Sequence, residues 1–257
     1  MLKIILGFFV PFLGTVIGAS TVFFMKDELS NKFEQLLLGF AGGVMLSASI
    51  WSLLLPAIEQ SKNIAKFAYF GVIAGFLIGI MFLIVIEITS SAINKGANEL
   101  TKQRHKKTGH MMLAITIHNI PEGMAVGVAL AGALNGLHSL TMAGAFSLAM
   151  GIAIQNFPDG AIVSMPLYAD GYTKRKAFIM GVLSGVLELV SAILAFFLTK
   201  IFASILPYIL AFASGATMFV VVKDLIPSSQ NGEYTNLATF AFTFGFILMV
   251  LLDIALN

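Results

Sequence analysis

Long apolar runs, separated by short polar or charged stretches, dominate the pattern of this chain. Each run has about 18 residues or more, enough for a helix to cross the roughly 30 Å hydrocarbon core of a bilayer. The first run lacks the short length and small-residue cleavage site of a signal peptide, so we interpret it as the first span. The pattern predicts eight membrane-spanning helices, at residues 4–25, 35–57, 67–90, 111–134, 140–168, 176–199, 204–225 and 236–256.

The composition agrees with this pattern. Of the 257 residues, 58% are hydrophobic and 11% are charged, whereas a soluble domain has about 25% charged residues. The net charge of +2 is too small to indicate nucleic-acid binding, and the absence of cysteine excludes disulfides and thiolate metal ligands. We therefore predict an all-α, polytopic membrane protein that forms a single domain over residues 1–257.

Positive charge is distributed unequally between the two sets of loops. Eleven of the fifteen lysines and arginines lie in alternate loops, among them the one long polar loop at residues 91–110, and four lie on the other side. The positive-inside rule then places the long loop in the cytoplasm and both termini outside. His105 and His110 in this loop could hand on a metal ion, but we favour their interpretation as solvated residues.

Polar residues interrupt spans four and five in the same pattern. The stretches AITIHNIPEGMAVGVA at residues 114–129 and GIAIQNFPDGAIVS from Gly151 match when one is shifted by thirty-seven residues. Adjacent spans run antiparallel, so the repeat is inverted in the membrane. Inverted repeats that meet around a polar site near the midplane are a common plan of transporters.

Helical spacing predicts that these polar residues can share a cation. Residues four apart lie on one face of a helix, so His118 and Glu122 can close on one ion. Gln155 and Asp159 have the same spacing and can approach that ion from the facing span. An alternative is that these side chains only hold the bundle together by hydrogen bonds. Two related pairs that each include an ionisable group make that alternative the weaker one.

A second, adjoining position is predicted by two asparagines. Asn119 and Asn156 lie about 100° round their helices from the first pair and can share its carboxylates. Pro121 and Pro158 each remove one intrahelical hydrogen bond beside the site. A donor set of imidazole, carboxylates and amides suits zinc, iron(II) or manganese, whereas calcium sites are mostly all-oxygen.

At these residues the chain resembles the Zrt/Irt-like protein (ZIP) family of divalent metal transporters. HNIPEG in span four and QNFPDG in span five are most similar to its GufA-like prokaryotic branch. Further matching stretches are FAGGVMLSASIWSLLLPAIE in span two, SGVLELVSA in span six and ASGATMFVVVKDLIP in span seven.

The resemblance implies specific roles for the motif residues. His118, Glu122, Gln155 and Asp159 would form the main transport site. Asn119, Asn156 and Glu188, with the two carboxylates as bridges, would form the second position. Glu188 is also notable on its own, as a lone carboxylate within span six. The family pattern further implies an elevator-like movement of spans one, four, five and six, in the cytoplasmic membrane of a prokaryote.

Four residues are weaker candidates for the metal path. Met45 and Ser47 lie within span two, Glu59 at its outer end and Asp224 near the inner end of span seven. Each also has an ordinary explanation: packing for Met45, bonding within its own helix for Ser47, and solvated end charges for the two acids. Glu87 is interpreted as an interfacial charge.

Glycines at spacing four in span three, Gly71, Gly75 and Gly79, indicate close helix packing. The packing can be within the chain or between two copies in a homodimer.

We therefore predict a transporter that moves divalent metal toward the cytoplasm by alternating access, with zinc foremost and iron, manganese or cadmium as further substrates. No resident cofactor is expected. The H-E-x-x-H pattern of zinc proteases is absent, so an enzyme is not expected either. The alternative that remains open is a membrane metal sensor or receptor that binds the ion without transporting it.

Overall fold

The computed structural model describes residues 2–25, 30–62, 68–93, 119–134, 141–198 and 205–256. Within these ranges the backbone is helical apart from short turns and has no strand, so the predicted all-α class is confirmed. The helices are α1 (Leu2–Ser20), α2 (Asn31–Lys62), α3 (Ala68–Ile93), α4 (Asn119–Leu134), α5 (Met142–Ala169), α6 (Lys174–Phe197), α7 (Leu206–Val220, continuing to Ser229) and α8 (Thr235–Leu256).

Six of the described helices, α1, α2, α3, α6, α7 and α8, are long and apolar enough to cross a membrane. The other two carry the repeated motif. α4 is a shorter apolar helix that is described only from Asn119. α5 has 28 residues, among them two prolines and the polar residues of the motif. The count of eight spans and the inverted repeat therefore stay predictions.

Three helices begin where a hydroxyl side chain caps their free backbone N–H groups. Ser30 accepts a hydrogen bond from the backbone of Phe33 at the start of α2. Thr141 and Thr173 cap α5 and α6 in the same way, through Gly144 and Lys176. Ser and Thr are preferred at this position because the side-chain oxygen satisfies a donor that the first turn leaves open.

Glycines allow α1, α4, α5 and α6 to pack closely as one group, which we call the motif set. A Cβ atom added at Gly14 of α1 would lie 2.1 Å from the carbonyl oxygen of Ala153 in α5. Likewise, a Cβ atom at Gly123 of α4 would lie 2.1 Å from the carbonyl oxygen of Glu188 in α6. Small residues at such crossings let helix backbones approach each other in membranes.

The remaining helices, α2, α3, α7 and α8, form a second group, the flanking set. Gly43 brings α2 against the backbone of α8, and Gly79 brings α3 against the backbone of α7 at Phe212. Gly71 and Gly75 face Tyr208 of the same helix α7. Of the two explanations for this glycine stripe, the structure therefore shows packing within the chain.

Two apolar clusters lie between the motif set and the flanking set. We call the end of the bundle where α6 starts with Lys174, Arg175 and Lys176 the basic end. The basic-end cluster contains Leu37, Leu38, Met45, Ala216 and Val220 of the flanking set and Ala161, Ile162, Val163 and Met165 of the motif set. The opposite-end cluster contains Leu53, Ala57, Leu210 and Ala211 together with Ala125 and Val128.

Two helices of the flanking set contain a wide π-helical turn, Ser49–Leu54 in α2 and Val221–Leu225 in α7. A proline follows each turn, Pro56 or Pro227. The hydroxyl of Ser214 in α7 donates to the carbonyl oxygen of Ser49 at 2.7 Å. This bond joins α7 to α2 where the π turn begins, and π turns often occur beside functional sites.

Candidate metal site

The motif residues of α4 and α5 converge in the interior of the motif set, together with Glu188 of α6. None of these side chains is more than 2% exposed: Asn119, Glu122, Gln155, Asn156, Asp159 and Glu188. His118 lies outside the described residues, as do His105, His110 and most of the 91–110 loop. The structure therefore places these six motif residues together in the interior of the motif set.

Gln155 and Glu122 connect the two halves of the motif directly. The amide nitrogen of Gln155 donates a hydrogen bond to Oε1 of Glu122. This contact joins α5 to α4. Gln155 comes from one of the two pairs that were predicted to face a shared ion, and Glu122 comes from the other. It also settles the orientation of the amide, because only its N–H₂ group can donate to a carboxylate.

Asn156 and Asn119 point to a different side of the site. The Nδ2 atom of Asn156 donates to Oε2 of Glu188 at 2.5 Å and to the carbonyl oxygen of Pro11 at 3.2 Å. The Nδ2 atom of Asn119 donates to the carbonyl oxygen of Ser184 at 3.1 Å. Because these partners are acceptors, the amide nitrogens must face them. The hydrogen bonds therefore fix the positions of the amide oxygens.

Four buried oxygen atoms of the site have no hydrogen-bond partner among the described residues. They are Oδ1 of Asn119, Oε1 of Gln155, Oδ1 of Asn156 and Oε1 of Glu188. A buried acceptor without a partner destabilises a protein by about 1–3 kcal/mol, so four in one place are unusual. Amide and carboxylate oxygens are good ligands for divalent cations, and a bound cation would satisfy them.

The charges of the site also favour a cation. Glu122, Asp159 and Glu188 are buried, and the first two lie within electrostatic range of the third. No lysine or arginine is buried in the part of the chain that the structure describes. A divalent ion would therefore offset the mutual repulsion of the three acids.

Carboxylates and histidines alone do not make a site in the described ranges. No three His, Cys, Asp or Glu side chains come close enough there to hold one metal ion. A site in this position therefore includes the amide oxygens, and His118, next to Asn119 in sequence, stays the predicted imidazole donor. Such a mixed donor set fits a loosely held ion better than a closed structural zinc site.

The four weaker candidates occupy different environments. Met45 is fully buried in the basic-end cluster. Ser47 is also fully buried, and its Oγ atom has no hydrogen-bond partner within the described ranges. Glu59 is exposed near the end of α2, and Asp224 is partly buried in the π turn of α7. Whether any of them contacts the moving ion stays a prediction.

Glu87 forms an ion pair with Lys223. Both side chains are 43% exposed, and Lys223 also lies over the ring of Phe219, 5.2 Å from its centroid. An exposed pair of this kind has little effect on stability. Its position away from the buried acids agrees with the interpretation of Glu87 as an interfacial charge.

The contacts that α1 makes with the site residues were not predicted from the sequence. The carbonyl of Pro11 orients Asn156, and the hydroxyl of Thr15 is fully buried beside α5 and α6. A backbone carbonyl leaves no signal in the residue pattern. Thr15 was detectable in principle, as a polar residue between Gly14 and Gly18 of an otherwise apolar span.

Comparison with known proteins shows the family of this chain. Residues 107–253 match the family model described as ZIP Zinc transporter. Human zinc transporter ZIP11 is 32% identical over 333 aligned residues that cover 98% of this chain and 97% of the human protein. Zinc transporter GufA of Myxococcus xanthus is 31% identical, with 95% and 94% covered. Zinc transporter ZIPB of Bordetella bronchiseptica is 30% identical, with 98% and 81% covered. The chain is therefore a member of the ZIP family of zinc transporters.

Proposed function

We propose that this protein carries divalent metal, zinc foremost, through the buried site of the motif set toward the cytoplasm. The observation that supports this most directly is the group of four buried oxygen atoms without hydrogen-bond partners in the described ranges. Hydrogen bonds from the amide nitrogens hold three of these oxygens in place before any ion arrives. The family and its named relatives are transporters rather than enzymes.

The ion would exchange part of its hydration shell for protein donors. His118, Glu122, Gln155 and Asp159 would hold it at the main position. Asn119, Asn156 and Glu188 would form the adjoining position, with the carboxylates of the first group as bridges. Iron(II), manganese and cadmium would be accepted as well, because the donors are of mixed and intermediate character. Such a mixed donor set holds an ion less tightly than a closed structural zinc site, so the ion can leave again.

Alternating access is supported by how the two sets of helices meet. The hydrogen bonds of Gln155, Asn156 and Asn119 all join helices within the motif set. Those of Gln35 to Ser229 and Ser214 to Ser49 join helices within the flanking set. Between the sets lie the two apolar clusters, one on each side of the polar site. Apolar side chains impose no directional bonds, so one set can slide against the other.

The basic end would face the cytoplasm, because lysine and arginine are retained on that side of a membrane. Both termini would then be outside, and the 91–110 loop would be cytoplasmic. Residues 1–257 would act as one transport domain in the plasma membrane of a prokaryote, with the bilayer around the apolar outer surface.

Uptake into proteoliposomes tests the proposal. Zinc, cadmium, iron(II) and manganese would each be offered to the wild type, to Glu122→Ala and to a matched control, Glu233→Ala, which removes an exposed acid. We expect flux for the wild type and the control and loss of flux for Glu122→Ala. Full flux from Glu122→Ala would refute the assigned site. A wild type that binds zinc without moving it would favour a sensor or receptor.

A further inference from the structure

Resting on the proposed function, we propose that the hydroxyl of Thr15 belongs to the metal path. It holds a hydration water of the divalent ion next to the Asn156–Glu188 position, on the side of the basic end. Thr15 lies in α1 and is 0% exposed. Its Oγ1 atom has no hydrogen-bond partner in the ranges that the structure describes.

Most other buried hydroxyls in the described helices have a hydrogen-bond partner, and Ser47 of α2 is a further exception. Ser and Thr in a helix usually donate to a carbonyl three or four residues earlier. Ser184 donates to Gly181 at 2.7 Å, Ser191 to Glu188 at 2.9 Å and Thr217 to Ala213 at 3.0 Å. Thr15 is therefore an exception that calls for an explanation.

The carbonyl that Thr15 would ordinarily use is engaged by the metal site. Four residues before Thr15 stands Pro11, whose carbonyl oxygen accepts the amide of Asn156 at 3.2 Å. The same amide holds Glu188. The arrangement that orients the ligands thus leaves the Thr15 hydroxyl available for another partner.

The surroundings of Thr15 place this hydroxyl beside the site. A Cβ atom at Gly185 of α6 would lie 2.9 Å from Oγ1 of Thr15, and one at Gly160 of α5 would lie 2.2 Å from the Thr15 carbonyl oxygen. Gly185 precedes Glu188 by three residues, and Gly160 follows Asn156 by four, so each pair lies about one helical turn apart. Oγ1 therefore lies against α6 one turn from Glu188, and the backbone of Thr15 lies against α5 one turn from Asn156.

The position of Thr15 along α1 suits a partner that is hydrated. Thr15 follows Pro11 by four residues, which is a rise of about 6 Å along the helix axis. This direction leads toward the basic end, where Lys174 of α6 binds the carbonyl oxygens of Phe23 and Met25 after α1. A hydration water extends the reach of a bound ion by one hydrogen bond of about 2.8 Å. A divalent ion that keeps part of its hydration shell would supply that water.

The test compares Thr15→Val, which has nearly the same shape without the hydroxyl, with Thr15→Ser, which keeps it. Thr217→Val is the matched control, because it removes a buried hydroxyl that is bonded within its own helix. Zinc uptake into proteoliposomes, equilibrium zinc binding and the thermal unfolding midpoint without metal are measured for each.

We expect kcat for zinc uptake to fall at least fivefold in Thr15→Val while the half-saturating zinc concentration changes less than twofold. The unfolding midpoint should stay the same or rise, because a buried hydroxyl without a partner is removed. Thr15→Ser should restore uptake, and Thr217→Val should keep it while losing some stability.

Uptake by Thr15→Val within twofold of the wild type would overturn the proposal. A lowered midpoint together with lost uptake would also overturn it, since Thr15 would then have a structural partner in the fold. A wild type that neither binds nor moves zinc would overturn the proposed function as well. If the wild type transports zinc and Thr15→Val transports it equally well, only the role of Thr15 is refuted.

Discussion

Gly18 offers the most direct test of how closely the motif set is packed. In Gly18→Ala the new Cβ atom would lie 1.9 Å from the carbonyl oxygen of Phe157 and 2.8 Å from its carbonyl carbon. Both atoms belong to the α5 backbone, so no side-chain rotation can relieve the overlap. Contact distances below 3.0 Å essentially do not occur for real Cβ atoms, so α1 and α5 must separate by the difference, about 1.1 Å.

The magnitude follows from two opposing effects. Overpacking of this kind costs about 1–3 kcal/mol, and the severity of the overlap argues for the upper part of that range. Alanine is favoured over glycine within a helix by about 1 kcal/mol. We therefore expect a net loss of about 2 kcal/mol in the free energy of unfolding of Gly18→Ala.

The same substitution should reach the metal site. The hydrogen bond from Asn156 to Pro11 also crosses from α5 to α1, with a length of 3.2 Å. A separation of about 1 Å would lengthen it beyond the range of a hydrogen bond, about 3.5 Å. Asn156 would then lose its fixed orientation, and zinc affinity should fall at least fivefold.

Gly151→Ala is the matched control on α5. Its Cβ atom would lie 2.4 Å from Cε of Met249, the far end of a flexible side chain that can move aside. The helix preference for alanine should then dominate, so the unfolding midpoint should stay the same or rise. The assay is thermal unfolding of the purified proteins in detergent, with zinc binding measured by calorimetry. If Gly18→Ala matched Gly151→Ala in both stability and affinity, the close packing of α1 on α5 would be refuted.

Three further predictions concern the donors, the protons and the end of α1. His118→Ala should lower zinc affinity at least tenfold in calorimetry, since it removes the one imidazole donor; retained affinity would show an all-oxygen site. Zinc uptake should fall between pH 7.5 and pH 5.5, because imidazole and carboxylate ligands must be deprotonated to bind metal; rates independent of pH would contradict this. Lys174→Met should lower the free energy of unfolding by about 1 kcal/mol, because Lys174 binds the carbonyl oxygens of Phe23 and Met25. Its zinc affinity should stay within twofold of the wild type, and an unchanged unfolding midpoint would show that these bonds do not matter.

The sequence by itself determined where the described helices lie and which residue types the site contains. Apolar runs predict spans because the hydrocarbon core sets the length that a helix must cover. The motif is visible because its spacing of four is a local property of one helix. The observed contact between Gln155 and Glu122 agrees with the expectation that the two motif halves face each other.

The tertiary structure decided which helices pack together and how each donor is oriented. The crossing of α1 and α5 depends on glycines far apart in the chain, because Gly14 lies against the α5 backbone and Gly160 lies against the α1 backbone. Only that crossing brings the Pro11 carbonyl to Asn156 and buries the Thr15 hydroxyl beside them. The local pattern cannot show this, because the spacing of residues within one helix does not determine which distant helix surface fits against it.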